Sequence, residues 1–375
     1  MEMQRESKFR LLSAVPVVAL LTISVQTGLA VGNSGNVYVM TNQPSNAVVV
    51  FHRDATGILT PAASFATGGS GAGTGADPLG SQGALVLSED QRLLFAVNAG
   101  SNSVSVFATS GDRLTLLDTV PSGGAMPISV AVKHDLVYVV NAAGMPNISG
   151  FRIHPLTNRL VPLAGSTRNL PGGAAAGPAQ VSFTPDGSAL VVTEKGTNRI
   201  DTFPVEDGVA RPGVSFASSG ATPFGFAFGR DDVAIVSDAA GGAAGASAVS
   251  SYQVDEDGKV VVISPALGDG QTAACWLVVP QNGRLAYTAN AGSGTISSYV
   301  VSDGGSLALL NAVAASTGDG GTPTDMALTG NSRFLYVRNG GNGTVSGFFI
   351  GADGSLTSIS GASGMPPGAQ GIAAR

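Results

Sequence analysis

The stretch that decides the fold is QVSFTPDGSALVVTEKGTNRIDTF, which occupies residues 180–203. Larger and smaller side chains alternate along its first two apolar runs, and a period of two is the signature of a β-strand. Pro185, Asp186 and Gly187 separate these runs, and Asp-Gly favours a tight turn because glycine adopts positive φ without strain. The stretch therefore predicts a strand, a turn, a second strand ending at Glu194, another turn and a third strand.

Copies of this stretch recur along the whole chain. The clearest copies are residues 95–107, 138–151, 287–299 and 336–348, and the looser ones are residues 38–51 and 235–252. The second strand ends in Asn or Asp in six units and in Glu in one. These residues are Asn42, Asn98, Asn141, Glu194, Asp238, Asn290 and Asn339. Their spacing is on the order of 50 residues, which is typical of propellers and solenoids. We therefore predict an all-β, seven-bladed β-propeller with four-stranded antiparallel blades.

The two ends of the repeat region are complementary. No strand of the innermost type precedes residues 38–41, and residues 370–374 are an innermost strand with nothing after them. A sheet edge left open is a liability for a folded protein. The sequence thus predicts that residues 370–374 complete the first blade beside residues 38–41 and close the ring. A frayed carboxyl-terminal tail is the alternative.

The first 30 residues do not belong to the repeat. Arg5, Lys8 and Arg10 form a basic start, residues 11–25 are apolar, and residues 26–30 are mostly small. This order is typical of a secretory signal. An uncleaved anchor is the alternative, but the run is short for a membrane span of about 20 residues. We predict a signal peptide over residues 1–30, a single propeller domain over residues 31–375, and a secreted or periplasmic protein that is not attached to a membrane.

Composition excludes several classes of function. The net charge is −6 and only 12% of residues are charged, so we expect no nucleic-acid partner, which would need clustered Lys and Arg. Cys275 is the single cysteine, so no intramolecular disulfide forms, and we expect it to be a small buried hydrophobe. The three histidines, His52, His134 and His154, lie at dissimilar places in the repeat. We therefore expect no metal site, no cofactor and, with no partner motif in view, a monomer.

The (Y/F)-V-x-N…V-S-x-(F/Y) units and the Pro-Asp-Gly turn at residues 185–187 resemble the seven-bladed propeller lactonase family. That family includes 6-phosphogluconolactonases and carboxymuconate-lactonising enzymes, and the resemblance runs from about residue 35 to the end. It implies that a small lactone is opened or closed by a channel Glu, His and Arg. Gln180 stands where the family often has His, and Ala291 and Gly340 stand where many relatives have Arg. Because phosphate recognition favours Arg, these departures disfavour a phosphorylated substrate.

The third place of each innermost strand is predicted to face the mouth of the central channel, where convergent polar groups form a binding site. These residues are Ala84, Ser129, Gln180, Gly225, Trp276, Asp325 and Gln370. We predict that Gln180, Trp276 and Asp325, together with Asp238 at the end of a second strand, bind a small-molecule ligand. Trp276 either stacks on that ligand or packs between blades.

Glu194 is the candidate catalytic residue. Glu has no advantage in a turn, yet it breaks the Asn/Asp series, and a carboxylate in a solvent-reached funnel is suited to general acid or base catalysis. By resemblance, it falls where the family's Glu follows the second strand. A plain exposed carboxylate is the alternative. The corresponding alternative for the whole protein is a non-catalytic propeller for ligand binding or surface interaction.

Overall fold

A computed structural model describes Met1 and residues 33–375, and the predicted signal peptide, apart from Met1, lies outside the described residues. Residues 33–375 form seven antiparallel sheets. Each sheet follows one unit of the sequence repeat, which confirms the seven-bladed propeller. Apart from two single-turn 3-10 helices, Gly173–Ala175 and Ala240–Gly242, the regular structure of this part of the chain is all strand. No helix among these residues is long and apolar enough to span a membrane.

The strands of each blade are consecutive in the chain except for the last strand, which joins the first blade. Blade 1 contains β1 (Gly35–Met40), β2 (Ala47–Arg53), β3 (Leu59–Ala66) and β30 (Ile372–Ala374). Blade 2 contains β4 (Leu85–Leu87), β5 (Leu93–Asn98), β6 (Ser103–Ser110) and β7 (Arg113–Pro121). Blade 3 contains β8 (Ala125–Lys133), β9 (Leu136–Ala143), β10 (Asn147–Ile153), and β11 (Leu160–Pro162) and β12 (Arg168–Asn169), which both pair with β10.

Blade 4 contains β13 (Pro178–Phe183), β14 (Ala189–Glu194), β15 (Arg199–Glu206), and β16 (Val209–Ala210) and β17 (Val214–Ala217), which both pair with β15. Blade 5 contains β18 (Pro223–Phe228), β19 (Val233–Asp238), β20 (Ala248–Val254) and β21 (Val260–Gly268). Blade 6 contains β22 (Ala274–Val278), β23 (Leu285–Asn290), β24 (Thr295–Val301) and β25 (Leu307–Ser316). Blade 7 contains β26 (Pro323–Leu328), β27 (Phe334–Asn339), β28 (Thr344–Ile350) and β29 (Leu356–Ala362).

The innermost strands form a closed cycle around the channel. β30 contacts β4, β4 contacts β8, and the series continues through β13, β18, β22 and β26 back to β30. We call the end of the ring where the second strands finish, as at Asn98 and Asn290, the upper face. The lower face is the end where an innermost strand turns into the second strand, as at residues 185–187.

The inner turn of blade 4 follows from its sequence. Asp186 Oδ1 accepts hydrogen bonds from the Ser188 N–H at 3.0 Å and from the Thr184 hydroxyl at 2.7 Å. Gly187 then takes a φ of 81°, in the left-handed region that side chains disfavour. The Pro-Asp-Gly signal therefore produces the tight turn that the sequence predicts.

The carboxyl-terminal strand closes the ring. β30 pairs antiparallel with β1, with Ala374 opposite Val37 and Ile372 opposite Val39. The pairing extends beyond the strand, because the Gln370 N–H donates to Met40 O at 3.0 Å. This arrangement confirms the predicted closure and rules out a frayed tail.

Tyrosine hydroxyls connect neighbouring blades. Tyr336 donates to Gly57 O at 2.6 Å, and Tyr138 and Tyr287 make the same contact with Gly208 and Gly354 at 2.9 Å. Each acceptor glycine lies in the outer hairpin turn of the next blade. The tyrosine that begins several repeat units thus serves to hold the ring together.

Candidate functional site

The upper part of the channel is crossed by the chain itself. Residues 77–82, which we call the plug, precede the innermost strand of blade 2. The Trp276 Nε1–H donates to Ser81 O at 2.8 Å. The Gln82 side-chain amide donates to Leu277 O at 2.8 Å and accepts from the Leu277 N–H at 2.9 Å. Blades 2 and 6 are as far apart as two blades of a seven-membered ring can be, so these bonds span the channel.

Two further side chains hold the plug. Gln370 Nε2 donates to Asp77 Oδ1 at 2.6 Å and to Ser81 O at 3.1 Å. Lys195 Nζ donates to Gly80 O at 2.8 Å. Burial lowers the pKa of Lys195 and raises that of Asp77. The plug is therefore bonded to blades 1, 4 and 6, and it occupies the upper channel.

The Gln82 side chain occupies space that is open because Gly225 has no side chain. A Cβ atom on Gly225 would lie 2.0 Å from Gln82 Oε1, which no side chain tolerates. The sequence predicts that this glycine faces the channel mouth. Its role in the structure is to let the Gln82 amide approach the backbone of blade 6.

A cavity of about 330 Å³ lies below the plug, and we call it the channel cavity. Its walls are formed by the second halves of the innermost strands. The apolar lining includes Leu85, Leu87, Val130, Val132, Val181, Met326, Leu328 and Ile372, and the polar side chains are Gln82, Gln180, Ser182 and Asp325. An apolar pocket with a few converging polar groups is the usual form of a small-molecule site.

Asp325 is the ionisable group of the channel cavity. Its Oδ1 accepts a hydrogen bond from the Met326 N–H at 2.8 Å, whereas Oδ2 has no hydrogen-bond partner among the described residues. Burial raises the pKa of this carboxyl well above its usual range. Burial therefore favours the protonated form of Asp325, whose hydroxyl can donate a hydrogen bond or a proton.

Gln180 also lies at the channel cavity, but its amide is already paired. Nε2 donates to Phe226 O at 3.0 Å, and Oε1 accepts from the Phe226 N–H at 2.8 Å. Gln180 thus joins blades 4 and 5, and only its side-chain surface borders the cavity. Of the predicted site residues, the structure brings together Gln180 and Asp325.

Glu194 lies away from the channel. It is fully buried, its Oε1 accepts from the Gly172 N–H at 2.9 Å, and its Oε2 accepts from the Thr197 hydroxyl. The connection from blade 3 packs over Glu194. It can approach this closely because Gly172 has no side chain, and a Cβ atom there would collide with the Glu194 carboxylate. The prediction that solvent reaches Glu194 in a funnel is therefore wrong. The alternative prediction of a plain exposed carboxylate is also wrong, because the side chain is fully buried. Its catalytic role stays a prediction.

Asp201, which the sequence reasoning missed, accompanies Glu194. In blades 2, 6 and 7 the Asn that ends the second strand donates to a Ser seven residues later, as Asn290 does to Ser297 at 2.8 Å. In blade 4 the same two places hold Glu194 and Asp201. Burial, and then the neighbouring Glu194 carboxylate, raise the pKa of Asp201 to about 8. Glu194 and Asp201 replace the Asn and Ser found at these places in blades 2, 6 and 7. This double replacement is visible in the sequence and could have identified Asp201 as a candidate.

Asp238 and Trp276 do not line the channel cavity. Asp238 is buried at the end of the second strand of blade 5, where its Oδ2 accepts from the Ser250 hydroxyl at 2.8 Å, and burial raises its pKa to about 7. Trp276 is fully buried and meets Phe224 edge-on at a centroid distance of 5.2 Å. Of the two alternatives for Trp276, the structure shows packing.

Other reactive groups are inert or scattered. Cys275 is buried, as expected, and burial raises the pKa of its thiol, which keeps it protonated. Within residues 33–375, no three His, Cys, Asp or Glu side chains are grouped as metal ligands.

Comparison with known families agrees with this architecture. The model of the family "Lactonase, 7-bladed beta-propeller" matches residues 74–228 and 235–370, more than half of the chain. The chain belongs to the seven-bladed β-propeller lactonase family. No match was found among the curated proteins.

Several solved structures share the fold of this lactonase-family chain. A proposed 6-phosphogluconolactonase of Bacteroides uniformis ATCC 8492 is 20% identical with a TM-score of 0.70, and the match covers 90% of this chain and 99% of that one. The periplasmic gluconolactonase PpgL of Pseudomonas aeruginosa is 17% identical with a TM-score of 0.68, covering 90% and 98%. A protein of Lactobacillus plantarum is 18% identical with a TM-score of 0.70, covering 90% and 98%. At these identities the likeness shows the fold alone.

Proposed function

We propose that this chain opens or closes the ring of a small, unphosphorylated lactone, and that the lactone binds in the channel cavity. The observation that carries the proposal is Asp325, a buried carboxyl with a raised pKa that lines the cavity and has one oxygen without a hydrogen-bond partner among the described residues. Its cavity of about 330 Å³ is at the lower end of the size range of small-molecule sites. Family membership supplies the reaction class.

The chemistry uses the protonated form of Asp325. In ring opening, water adds to the acyl carbon, the bond from that carbon to the ring oxygen breaks, and the ring oxygen must gain a proton. Asp325 gives its proton to the ring oxygen and regains one from the attacking water, as a general acid and then a base. Ring closure is the reverse. Because no guanidinium or ammonium group lines the described cavity, an uncharged lactone fits it better than a phosphorylated one.

The test is acid release from a panel of five- and six-membered sugar lactones, measured at constant pH. Asp325→Asn keeps size and shape but removes the proton, so the rate should fall by about 10²–10⁴-fold. Asp238→Asn is the matched control, because Asp238 is also a buried carboxyl with a raised pKa but lies outside the cavity. Unchanged turnover in Asp325→Asn, or a loss in both variants, would contradict the assignment.

Glu194 remains a second candidate for the acid or base. For Glu194 to act, the connection that contains Gly172 must move away from its carboxylate. Glu194→Gln in the same assay separates the two candidates. A rate loss of about 10²–10⁴-fold in Glu194→Gln with normal turnover in Asp325→Asn would transfer the role to Glu194.

The second candidate function is non-catalytic ligand binding. The observation that favours it is the plug, which fills the upper channel and engages Trp276 and Gln370 in fixed hydrogen bonds. Titration calorimetry with the lactone panel distinguishes the two functions. Binding without acid release in wild-type protein would support a binding propeller.

We further propose that the chain is exported after cleavage following Ala30, as the order of charged, apolar and small residues indicates. The mature chain then begins at Val31, acts as a monomer and binds neither nucleic acid nor membrane. Amino-terminal sequencing of the exported protein tests this, and a chain that begins at Met1 would contradict it. Gel filtration of the same sample tests the monomer.

A further inference from the structure

A second cavity, of about 590 Å³, opens at the lower face beneath blade 1. In six blades a turn joins the innermost strand to the second strand at this face. In blade 1 those strands are β30 and β1, which are far apart in the chain, so no such turn joins them. The turns of blades 2, 6 and 7 border the space through Gln91, Gln281 and Asn331. The closure of the ring thus creates the cavity.

The residues that line this cavity are glycines and residues with polar side chains. Apart from glycine, every residue that lines it carries a hydroxyl, amide, imidazole, carboxylate or guanidinium group. No aliphatic side chain or phenyl ring is among them. The polar groups of these side chains offer both hydrogen-bond donors and acceptors.

A histidine and a carboxylate are held together at the wall. His52 Nδ1 lies 3.1 Å from Asp112 Oδ1, and the same oxygen accepts from Asn36 Nδ2 at 2.6 Å. These two contacts lower the pKa of Asp112, so it is charged at neutral pH. In the neutral tautomer that carries its proton on Nδ1, facing Asp112, His52 has Nε2 as an acceptor. The side chains are 43% and 49% exposed, so a ligand can reach both.

Two side-chain amides at the cavity have no hydrogen-bond partner in the described part of the chain. Within residues 33–375, the side-chain amides of Gln91 and Gln281 make no hydrogen bond to the protein, and each can both donate and accept. The two guanidinium groups at the cavity, in contrast to these amides, have hydrogen-bond partners in the protein. Arg53 donates to Arg375 O, and Arg375 donates to Asn36 Oδ1 and to the Thr109 hydroxyl. The cavity therefore has free amides and an imidazole, and its two guanidinium groups are held by oxygens of the protein.

We propose that this cavity is a second small-molecule site, which binds a polyhydroxylated, unphosphorylated ligand such as a sugar or an open-chain sugar acid. Each hydroxyl of such a ligand donates and accepts, and this matches amides alternating with the Asp112 carboxylate and His52 Nε2. An inorganic phosphate has few hydroxyls to donate to these acceptors and would lie close to the charged Asp112 carboxylate. The proposal does not depend on the channel cavity.

Titration calorimetry on the purified protein tests the site with glucose, gluconate and inorganic phosphate as probes. We expect binding of glucose, gluconate or both, and none of phosphate. Asp112→Asn and His52→Ala should each weaken that binding by about tenfold or more, the value of one hydrogen bond to a charged group. Gln281→Ala removes an uncommitted amide and should weaken binding while leaving the melting temperature unchanged, so a failure to fold cannot hide the result.

The matched control is His134→Ala. His134 Nδ1 lies 3.2 Å from Glu89 Oε2, a similar surface pair that does not line this cavity, so its loss should not change binding. Asp325→Asn separates the two cavities and should also leave this binding intact. The proposal fails if neither polyol binds at millimolar concentration, if phosphate binds as well as they do, or if Asp325→Asn alone abolishes binding.

Discussion

The indole nitrogen of Trp276 donates a hydrogen bond to the carbonyl oxygen of Ser81 on the far side of the channel, at 2.8 Å. An indole N–H that is fully buried must find such a partner, since leaving it unpaired is costly. The ring that was a candidate platform for a ligand instead holds a piece of the protein's own chain. The upper channel is consequently part of the core, and the space left for a ligand lies below it.

The plug should contribute measurably to stability. Gln82→Met has a similar length but leaves the N–H and C=O of Leu277 without the Gln82 amide. At about 1–3 kcal/mol for a buried group that loses its partner, we expect a loss of roughly 2–4 kcal/mol in the free energy of unfolding. Emission from Trp276, the single tryptophan, should shift to longer wavelength as water enters. Gln281→Met, at an amide without a partner among the described residues, should change neither quantity.

The tyrosine contacts between blades can be tested with a matched pair. Tyr336→Phe removes the hydrogen bond to Gly57 O and should lower the free energy of unfolding by about 1–2 kcal/mol. The Tyr38 hydroxyl is buried without a partner among residues 33–375, so Tyr38→Phe should be neutral or stabilising. Denaturant unfolding of both variants measures the difference. Equal losses would show that ring packing, not the hydroxyl bond, connects the blades.

Ring closure by β30 predicts a large effect of truncation. Deleting residues 370–375 exposes the edge of β1 and removes the Gln370 bonds to the plug. Losing several buried side chains at about 1–2 kcal/mol each should take up much of a typical stability of about 5–15 kcal/mol. We expect a strongly lowered melting temperature. A truncated protein that melts with the full chain would contradict the closure.

Asp238 should make stability depend on pH. Burial raises its pKa to about 7, so the folded protein binds this proton more tightly than the unfolded chain, where the pKa is about 4. Stability from this group is therefore highest below pH 4 and falls as pH rises to about 7. Asp238→Asn restores the residue found in most other blades and should stabilise the protein at pH 8 by up to a few kcal/mol, since one pKa unit corresponds to about 1.4 kcal/mol.

Thermal melts at pH 4 and pH 8 provide the measurement for Asp238→Asn, with little change expected at the lower pH. Asp353 is the contrasting control. It is exposed and accepts hydrogen bonds from Ser355, which lower its pKa, so Asp353→Asn should act in the opposite direction at pH 8. A stabilising effect of Asp238→Asn that is equal at both pH values would contradict a titrating carboxyl.

The sequence alone determined the architecture of this protein. Blade number follows from seven copies of one local pattern, and each strand and turn depends on neighbours within a few residues, as the Asp186 and Gly187 turn illustrates. Closure by residues 370–374 followed from counting innermost strands, because one missing strand and one spare strand leave a single way to complete the sheet.

The site was decided by the tertiary structure. Nothing in the local sequence of residues 77–82 indicates that they cross the channel to reach Trp276 and Leu277. Likewise, Glu194 ends its strand as predicted, but its exposure depends on Gly172, which lies 22 residues earlier. Strand periodicity is encoded locally, whereas burial of a strand end depends on which connection packs over it, and only the folded ring sets that contact.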